Sequence, residues 1–177
     1  MNATATGYLQ EWSRLLELER ENLRLRPEAC LVFRLGTHWL ALHADSCLEV
    51  MSESPIRRLP LRSDATLLGL VSIRGEILLC FSLSEPLGLK PLKVESEALS
   101  RHPRRLVVAG NTRFKFAFPA DEILGMERFS LEMLEPLPAD GQAVIPRFSR
   151  NMLTLDGHKV CVLEDQQVFA ALEQALV

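Results

Sequence analysis

Hydrophobic and polar residues follow two different spacings along the chain, and these spacings predict four β-hairpins between two helices. The clearest hairpin lies in residues 67–81, where one apolar run ends at Ile73 and a second begins at Ile77. The break between the runs contains Gly75, which supplies the positive φ that a tight turn often needs. Two short β-type runs around a turn recur three more times and predict hairpins at 30–42, 106–118 and 152–163.

Helical spacing is found at both ends of the chain. An amphipathic helix is predicted for residues 7–25, ending before Pro27, and a closing helix for residues 164–176. A shorter helical turn is predicted at 84–89. We expect the first helix to lie against its own domain, and the alternative is that its apolar stripe docks on a partner helix. The candidates for that contact are Tyr8, Trp12 and Leu16.

The two halves of the chain repeat one another. An Ala-Asp step follows the first hairpin at Ala44-Asp45 and the third at Ala120-Asp121, and the second and fourth hairpins share a turn glycine. Such repeats indicate two similar small units. Short strands at this spacing favour small closed barrels, and either barrel alone would have too small a core. We therefore expect a mainly β fold of two small barrels packed together.

Composition narrows the class of protein. The chain has 177 residues, of which 47% are hydrophobic and 24% are charged, an ordinary balance for a globular protein. A net charge of −3 argues against a nucleic-acid binder, which usually carries a basic face. The sequence shows neither a signal pattern nor an apolar run long enough to span a bilayer, so we expect a cytoplasmic protein without direct membrane insertion.

The sequence contains no recognisable pattern for catalysis or for cofactor binding. Its four cysteines form no C-x-x-C pair, so zinc and redox motifs are unsupported, and most of the thiols are expected in the core. The run from His43 to Cys47 resembles a nucleophile cluster, but contiguous residues cannot converge as a catalytic triad does. We therefore expect a binding or scaffolding module without cofactor or metal rather than an enzyme.

Arg74 is the charged residue at the tip of the clearest hairpin. Exposure at the turn is the usual position for an arginine. The alternative is that its side chain folds back to a carboxylate, for which Glu49 is the best candidate because it stands in an apolar stretch. If that pair is partly buried, removing one partner costs up to about 3–5 kcal/mol.

Several stretches together resemble the CheW-like family of chemotaxis coupling proteins. The resemblance runs in order from about Ala29 to Leu176 and rests most on the family's Gly-x-x-Asn-Leu-Arg-Gly element, which here spans residues 69–75. Ser72 replaces the usual Asn, and Ser82 stands where Asp is typical. The residues of this signature hairpin are Gly69, Ser72, Ile73, Arg74 and Gly75.

The resemblance implies two five-stranded β-barrels around a shared hydrophobic core. Residues 1–28 would form the N-terminal helical extension and residues 29–177 the CheW-like domain. The first barrel would lie mainly within 36–92 and the second mainly within 104–163, followed by the closing helix. The extension is similar to that of CheW-like proteins in Wsp-type surface-sensing systems, so the resemblance points to that subtype.

The resemblance also implies a function without catalysis. Such adaptors couple the cytoplasmic tip of a methyl-accepting chemoreceptor to the regulatory domain of a CheA-type histidine kinase in receptor arrays at the membrane. A helical receptor tip lies in a groove between barrels, a common mode of recognition. The matching groove positions here are Cys47, Glu49, Gly69 and Arg74. The alternative is a stand-alone regulatory binder of a histidine kinase without receptor coupling.

Overall fold

The computed structural model describes residues 11–12, 14–17, 27–60, 65–89, 103–137 and 147–176. It is mainly β, with eleven strands in two sheets and one C-terminal helix among these residues. The elements are β1 Glu28–Leu35, β2 His38–His43, β3 Cys47–Ser52, β4 Leu67–Ile73, β5 Glu76–Phe81, β6 Arg105–Gly110, β7 Lys115–Ala120, β8 Glu122–Phe129, β9 Glu135–Pro136, β10 Ser149–Leu155, β11 His158–Leu163 and α1 Asp165–Gln174. Short 3-10 turns lie at Ala44–Ser46 and Leu131–Met133.

All four predicted hairpins are present, as the antiparallel pairs β1–β2, β4–β5, β6–β7 and β10–β11. The predicted helical turn after β5 is also found, and it closes with a hydrogen bond from the Leu89 amide to the Ser84 carbonyl. Three strands were not predicted. β3 and β8 carry charged residues among apolar ones, and the two-residue β9 lies in a stretch expected to be a loop.

The two sheets exchange strands between the halves of the chain. Strand order is β8-β1-β2-β11-β10-β9 in the six-stranded sheet and β3-β6-β7-β5-β4 in the five-stranded sheet. Parallel pairing of β2 with β11 and of β5 with β7 joins early strands to late ones. β2 lies within the predicted 36–92 and the β6–β7 hairpin within 104–163, and each pairs with a strand from the other half. The barrel boundaries themselves stay a prediction.

The strand count also differs from the expected five and five. One sheet has six strands because β9 adds to β10 at its edge. Strand pairing within the described residues leaves β8 and β9 as the edges of one sheet and β3 and β4 as the edges of the other. It therefore does not close either sheet into a barrel.

Hydrophobic packing occurs in three layers. The largest cluster lies between the sheets and includes Phe33, Phe116 and Phe118, all without solvent exposure. Helix α1 completes this layer: the ring of Phe169 lies 5.3 Å from that of Phe116. Each sheet also encloses a smaller cluster of its own. The three buried layers hold both sheets and α1 around one shared core.

The repeat predicted from the sequence reappears in two matching turns. Arg74 and Gly75 between β4 and β5 have φ of 48° and 84°, and Asp156 and Gly157 between β10 and β11 have φ of 48° and 80°. Positive φ at both central residues is the requirement of a type I′ hairpin turn. An arginine in this conformation is unusual, because the left-handed region favours Gly, Asn and Asp.

The N-terminal segment differs from the simpler expectation. Residues 11–12 and 14–17 are helical, in agreement with the sequence, but all six are exposed. Trp12, Leu15 and Leu16 expose 61%, 54% and 52% of their surface, so this part of the helix does not pack on its own domain. Tyr8 lies outside the described residues. Within the described ranges, no helix is long and apolar enough to cross a membrane.

Candidate functional site

The structure brings Arg74 and Glu49 together, as the sequence suggested. Arg74 Nη2 lies 2.7 Å from Glu49 Oε1, a charge-assisted hydrogen bond. The sequence left open whether this pair is partly buried; the Arg74 side chain is 79% exposed, and that of Glu49 is 26% exposed. The pair is therefore a surface ion pair that contributes about 0–1 kcal/mol to stability.

This ion pair connects the two edges of the five-stranded sheet. Glu49 lies on β3 and Arg74 directly follows β4, the strands at opposite ends of the strand order. Side chains from opposite edges can meet only if the sheet is strongly curled, as twisted sheets of small β domains are. The curled sheet encloses a cluster that includes Val71 and Leu106.

A bulge sets the direction of the side chains at the start of β3. Cys47 and Glu49 pair with the consecutive residues Ala109 and Val108 of β6, which leaves Leu48 as the extra residue. The exposed fractions are 50% for Leu48 and 41% for Val50. Apolar side chains thus flank Glu49 on an edge strand, a position where they are open to a partner.

Gly69 has a structural role that the sequence alone did not show. Its φ is +143°, and an added Cβ would lie 2.2 Å from the carbonyl oxygen of Arg57. The segment containing Arg57 lies against β4 at this point, through two hydrogen bonds of 2.8 Å with the backbone of Leu70. The glycine is buried, and its missing side chain leaves room for the neighbouring segment.

A concavity of about 430 Å³ lies beside this contact. It has apolar lining from Leu70, Val71 and Ile77, hydroxyl groups from Ser54 and Ser72, and one cation from Arg57. Ile77 is 69% exposed. Of the signature hairpin, Ser72 and Arg74 are thus exposed, whereas Ile73 is only 5% exposed and belongs to the core of the sheet.

Cys47 is half-buried and packs against the core between the sheets. Burial raises the pKa of its thiol to about 12, so the thiol is neutral near pH 7. Burial has the same effect on Cys80. Three of the four cysteines were expected to behave as small core residues, and all four have raised thiol pKa values because of burial.

The run from His43 to Cys47 has no nucleophile arrangement. The His43 ring lies against the carboxylates of Asp165 and Glu28, each 3.4 Å away, and the Cys47 thiol is protonated. In the described part of the chain, no group of three or more metal-ligating side chains could hold a metal ion.

Sequence analysis missed the exposed apolar side chains on the edge strands. In addition to Leu48 and Val50 on β3, Met126 on β8 is 54% exposed. β8 is an edge of the six-stranded sheet. The available signal for β3 was that Leu48 and Val50 alternate with Glu49 and Met51. This spacing is typical of a strand, but it does not show which face of the strand is buried.

Two curled sheets on a shared core, with an ion pair and exposed apolar residues on edge strands, define a small β-sheet binding module. Comparison with known proteins identifies its family. The profile of the CheW-like domain matches residues 29–173, so the chain belongs to the CheW-like domain family.

Similar proteins and a similar structure are known. A probable chemotaxis protein CheW of Rhizobium etli is 25% identical over 143 residues, which cover 81% of this chain and 88% of the relative. The chemotaxis protein CheW of Rhizobium meliloti is 24% identical over 144 residues, with the same coverage. The scaffolding protein TtCheW of Thermoanaerobacter tengcongensis shares the fold, with a TM-score of 0.62 at 16% identity over 78% of this chain and 90% of that one.

Family membership decides the question of catalysis. CheW-like proteins are non-catalytic scaffolds, and the prediction that this chain is not an enzyme is thereby confirmed. The expected family assignment is confirmed as well.

Proposed function

We propose that this protein is an adaptor that couples the cytoplasmic tip of a methyl-accepting chemoreceptor to a CheA-type histidine kinase. The observation that carries the proposal is the Glu49–Arg74 ion pair, which is exposed beside Leu48 and Val50 on an edge strand. Both charged residues occupy the positions that the resemblance associates with the receptor groove. The adaptor would work in the cytoplasm, at membrane-associated receptor arrays.

The receptor surface in this proposal combines an apolar floor with a charged rim. A receptor tip is helical, and an amphipathic helix binds by placing its apolar face in an apolar groove. The exposed side chains of Leu48 and Val50 on β3 would supply such a floor, and Arg74 would supply an exposed cation beside it. Cys47 supports the start of β3 from the core, and Gly69 supports β4 by allowing close approach of Arg57.

The kinase partner is the regulatory domain of a CheA-type kinase, which shares the CheW-like fold by family resemblance. The two proteins would pack with a barrel of one against a barrel of the other. Each curled sheet would therefore have to present a barrel-like outer surface. Support comes from the approach of the edge strands β3 and β4 through the Glu49–Arg74 pair.

A binding titration tests the receptor surface. The receptor-tip hairpin and the kinase regulatory domain are titrated separately into the full chain and into Glu49→Arg and Arg74→Glu variants. Each variant is expected to weaken receptor binding about tenfold or more, because reversing a charge at the contact surface turns an attraction to the receptor into a repulsion. Kinase binding is expected to stay within about twofold.

The matched control for this titration lies in the same sheet. Glu76 and Lys115 form an exposed ion pair at 3.4 Å, and Glu76→Lys removes it without touching Glu49 or Arg74. This variant should bind both partners like the unchanged protein. Equal weakening by Glu76→Lys and Arg74→Glu would contradict a specific receptor surface.

The same titration distinguishes the alternative function. A stand-alone regulatory binder would bind the kinase regulatory domain but not the receptor tip, and would change kinase activity without any receptor present. Receptor binding by the unchanged protein excludes that reading. If the chain binds neither protein, the adaptor proposal is lost.

The N-terminal extension contributes a second surface in this proposal. Trp12, Leu15 and Leu16 form an exposed apolar stripe on the described part of the helix, and the sequence continues the stripe to Tyr8. This stripe would dock on a partner helix. In the Trp12→Ala/Leu16→Ala double variant, binding of one of the two partners should weaken. The β-sheet signal in the far-UV CD spectrum should stay unchanged, because the sheets remain folded. Arg14→Ala, on a charged face of the same helix, is the control.

A further inference from the structure

Three charged or titratable side chains from separate elements meet at one end of the six-stranded sheet. His43 is the last residue of β2, Glu28 is the first residue of β1, and Asp165 is the first residue of α1. His43 Nδ1 lies 3.4 Å from Asp165 Oδ1, and His43 Nε2 lies 3.4 Å from Glu28 Oε2. The side chains of His43 and Glu28 are 41% and 42% exposed, whereas that of Asp165 is only 11% exposed.

The geometry around the imidazole ring favours its charged form. Both ring nitrogens face carboxylate oxygens, and an ionised carboxylate only accepts hydrogen bonds. A neutral imidazole carries one N–H, so it can donate to Asp165 or to Glu28 but not to both. The imidazolium ion carries two N–H groups and satisfies both carboxylates.

We propose that protonated His43 holds the start of helix α1 and the start of β1 against the end of β2. The two contacts, His43–Asp165 and His43–Glu28, are called the clasp below. Helix α1 is anchored elsewhere by Val168, Phe169 and Leu172 in the core between the sheets. Loss of the proton from His43 removes the cation from the nearly buried Asp165 carboxylate. The first turn of α1 and the chain entering β1 then become less firmly attached.

The groups that surround His43 agree with this direction. The hydrogen bond with Asp165 is the main cause that raises the pKa of His43, burial opposes it, and the charge and hydrogen bond of Glu28 add to the increase. The thiols of Cys30 and Cys47 lie near Asp165 and are neutral, because burial raises their pKa values to about 11 and about 12. On β8, Glu127 adds a further negative charge near Cys30, and the Phe129 ring centroid lies 6.4 Å from that of His43.

The sign of the pH effect follows from a folded-state pKa above the ordinary value of 6.5. The stability contributed by the clasp is fully present below about pH 6.5 and is lost as the pH rises through the pKa of His43 in the folded protein.

The test uses the full chain between pH 5.5 and 8.5. NMR titration of the imidazole should give a His43 pKa above 6.5, and Asp165→Asn should lower it. Native-state hydrogen exchange should show that protection of the first turn of α1 decreases with pH, after correction for the intrinsic exchange rate. In His43→Gln, which is similar in size but does not titrate, that corrected decrease should disappear.

His158→Gln is the matched control, because His158 lies exposed on β11 of the same sheet, with its ring centroid 4.9 Å from that of Trp39 and tilted against it by 34°. The His158→Gln variant should show the same pH dependence of α1 protection as the unchanged protein. A His43 pKa at or below 6.5 would overturn the proposal. The same conclusion would follow if His43→Gln kept the full pH dependence of α1 protection, or if His158→Gln abolished it.

Discussion

Arg74 combines an unusual backbone conformation with an exposed contact. Its φ of 48° lies in the left-handed region, where its twin in the other hairpin is Asp156, a residue that tolerates this region better. A residue selected only for the turn would be Asn, Asp or Gly. The contact of the side chain with Glu49 and its exposure are consistent with contact to a partner.

The coupling of Arg74 to Glu49 should be small but measurable. In a double-mutant cycle of Arg74→Ala and Glu49→Ala, urea unfolding should give a coupling free energy of about 0.2–1 kcal/mol, as for exposed ion pairs. Added salt should reduce it, because salt screens exposed charges. A coupling of about 3 kcal/mol would mean that the pair is buried in solution, contrary to the structure.

Gly69 should tolerate no side chain, because backbone atoms occupy the space. We expect Gly69→Ala to lower the free energy of unfolding by about 2–4 kcal/mol, since the Cβ would displace the Arg57 segment from β4. Gly125 is the matched control: its φ of +144° is nearly the same, but an added Cβ meets nothing within 4 Å. Urea unfolding of both alanine variants separates the clash from the backbone strain, and equal losses would exclude the clash.

The buried thiols should react slowly. With the pKa of Cys47 and Cys80 at about 12, the thiolate fraction at pH 8 is on the order of a thousandfold below that of a free thiol with a pKa of 9. A thiol reagent followed by absorbance should therefore label these residues much faster in denaturant than in the native protein. Rapid labelling of native Cys47 would show that the start of β3 opens readily.

Hairpins are the elements in which local sequence and structure agree best. The turns at Gly75 and Gly157 have matching φ values, and both glycines have open space around the position of a Cβ. Turn chemistry acts over four residues, so it can be predicted without knowledge of the rest of the fold. β3 and β8 were missed because charged residues stand among the apolar ones on these edge strands, so the sequence pattern does not show which face is buried.

The two hairpin turns should respond equally to substitution. Gly75→Ala and Gly157→Ala are each expected to lower the free energy of unfolding by about 1–2 kcal/mol, because alanine is strained at positive φ. The double variant should show the sum of the two losses, since the turns lie in different sheets. Urea denaturation measures all three, and a large difference between the single variants would contradict the equivalence of the hairpins.

At the scale of the whole molecule, strand exchange joins the two halves of the chain into one folding unit. Each sheet takes strands from both halves, and the cluster between the sheets joins both of them to α1. Neither half contains a complete sheet. Cooperative unfolding is the expected consequence, because disruption of either sheet removes partners from the other.

Urea unfolding should therefore be a single transition. In a Trp12→Phe background, Trp39 fluorescence reports on the six-stranded sheet, and far-UV CD reports on both sheets. The two curves should coincide. Phe116→Ala removes a fully buried ring between the sheets. It should shift both curves to lower urea together and lower the free energy of unfolding by about 3–5 kcal/mol. Separate midpoints for the two probes would indicate independent domains.

The sequence by itself determined the local features of this protein and its family. Residue spacing predicted the four hairpins and the closing helix, the Arg74-Gly75 turn marked the signature element, and the apolar setting of Glu49 identified the partner of Arg74. These features depend on residues a few positions apart, or on a motif that spans seven residues. The absence of catalytic patterns was likewise readable from the sequence.

Only the tertiary structure decided which strands share a sheet, which side of β3 is exposed, and what surrounds each functional residue. The exchange of β2 and β6–β7 between the sheets, the contact of Gly69 with Arg57, and the meeting of His43 with Glu28 and Asp165 all join residues that are distant in the chain. The Glu49–Arg74 pair could be guessed from chemistry, but its exposure could not. Burial depends on how the whole sheet curls, and local sequence does not encode that curvature.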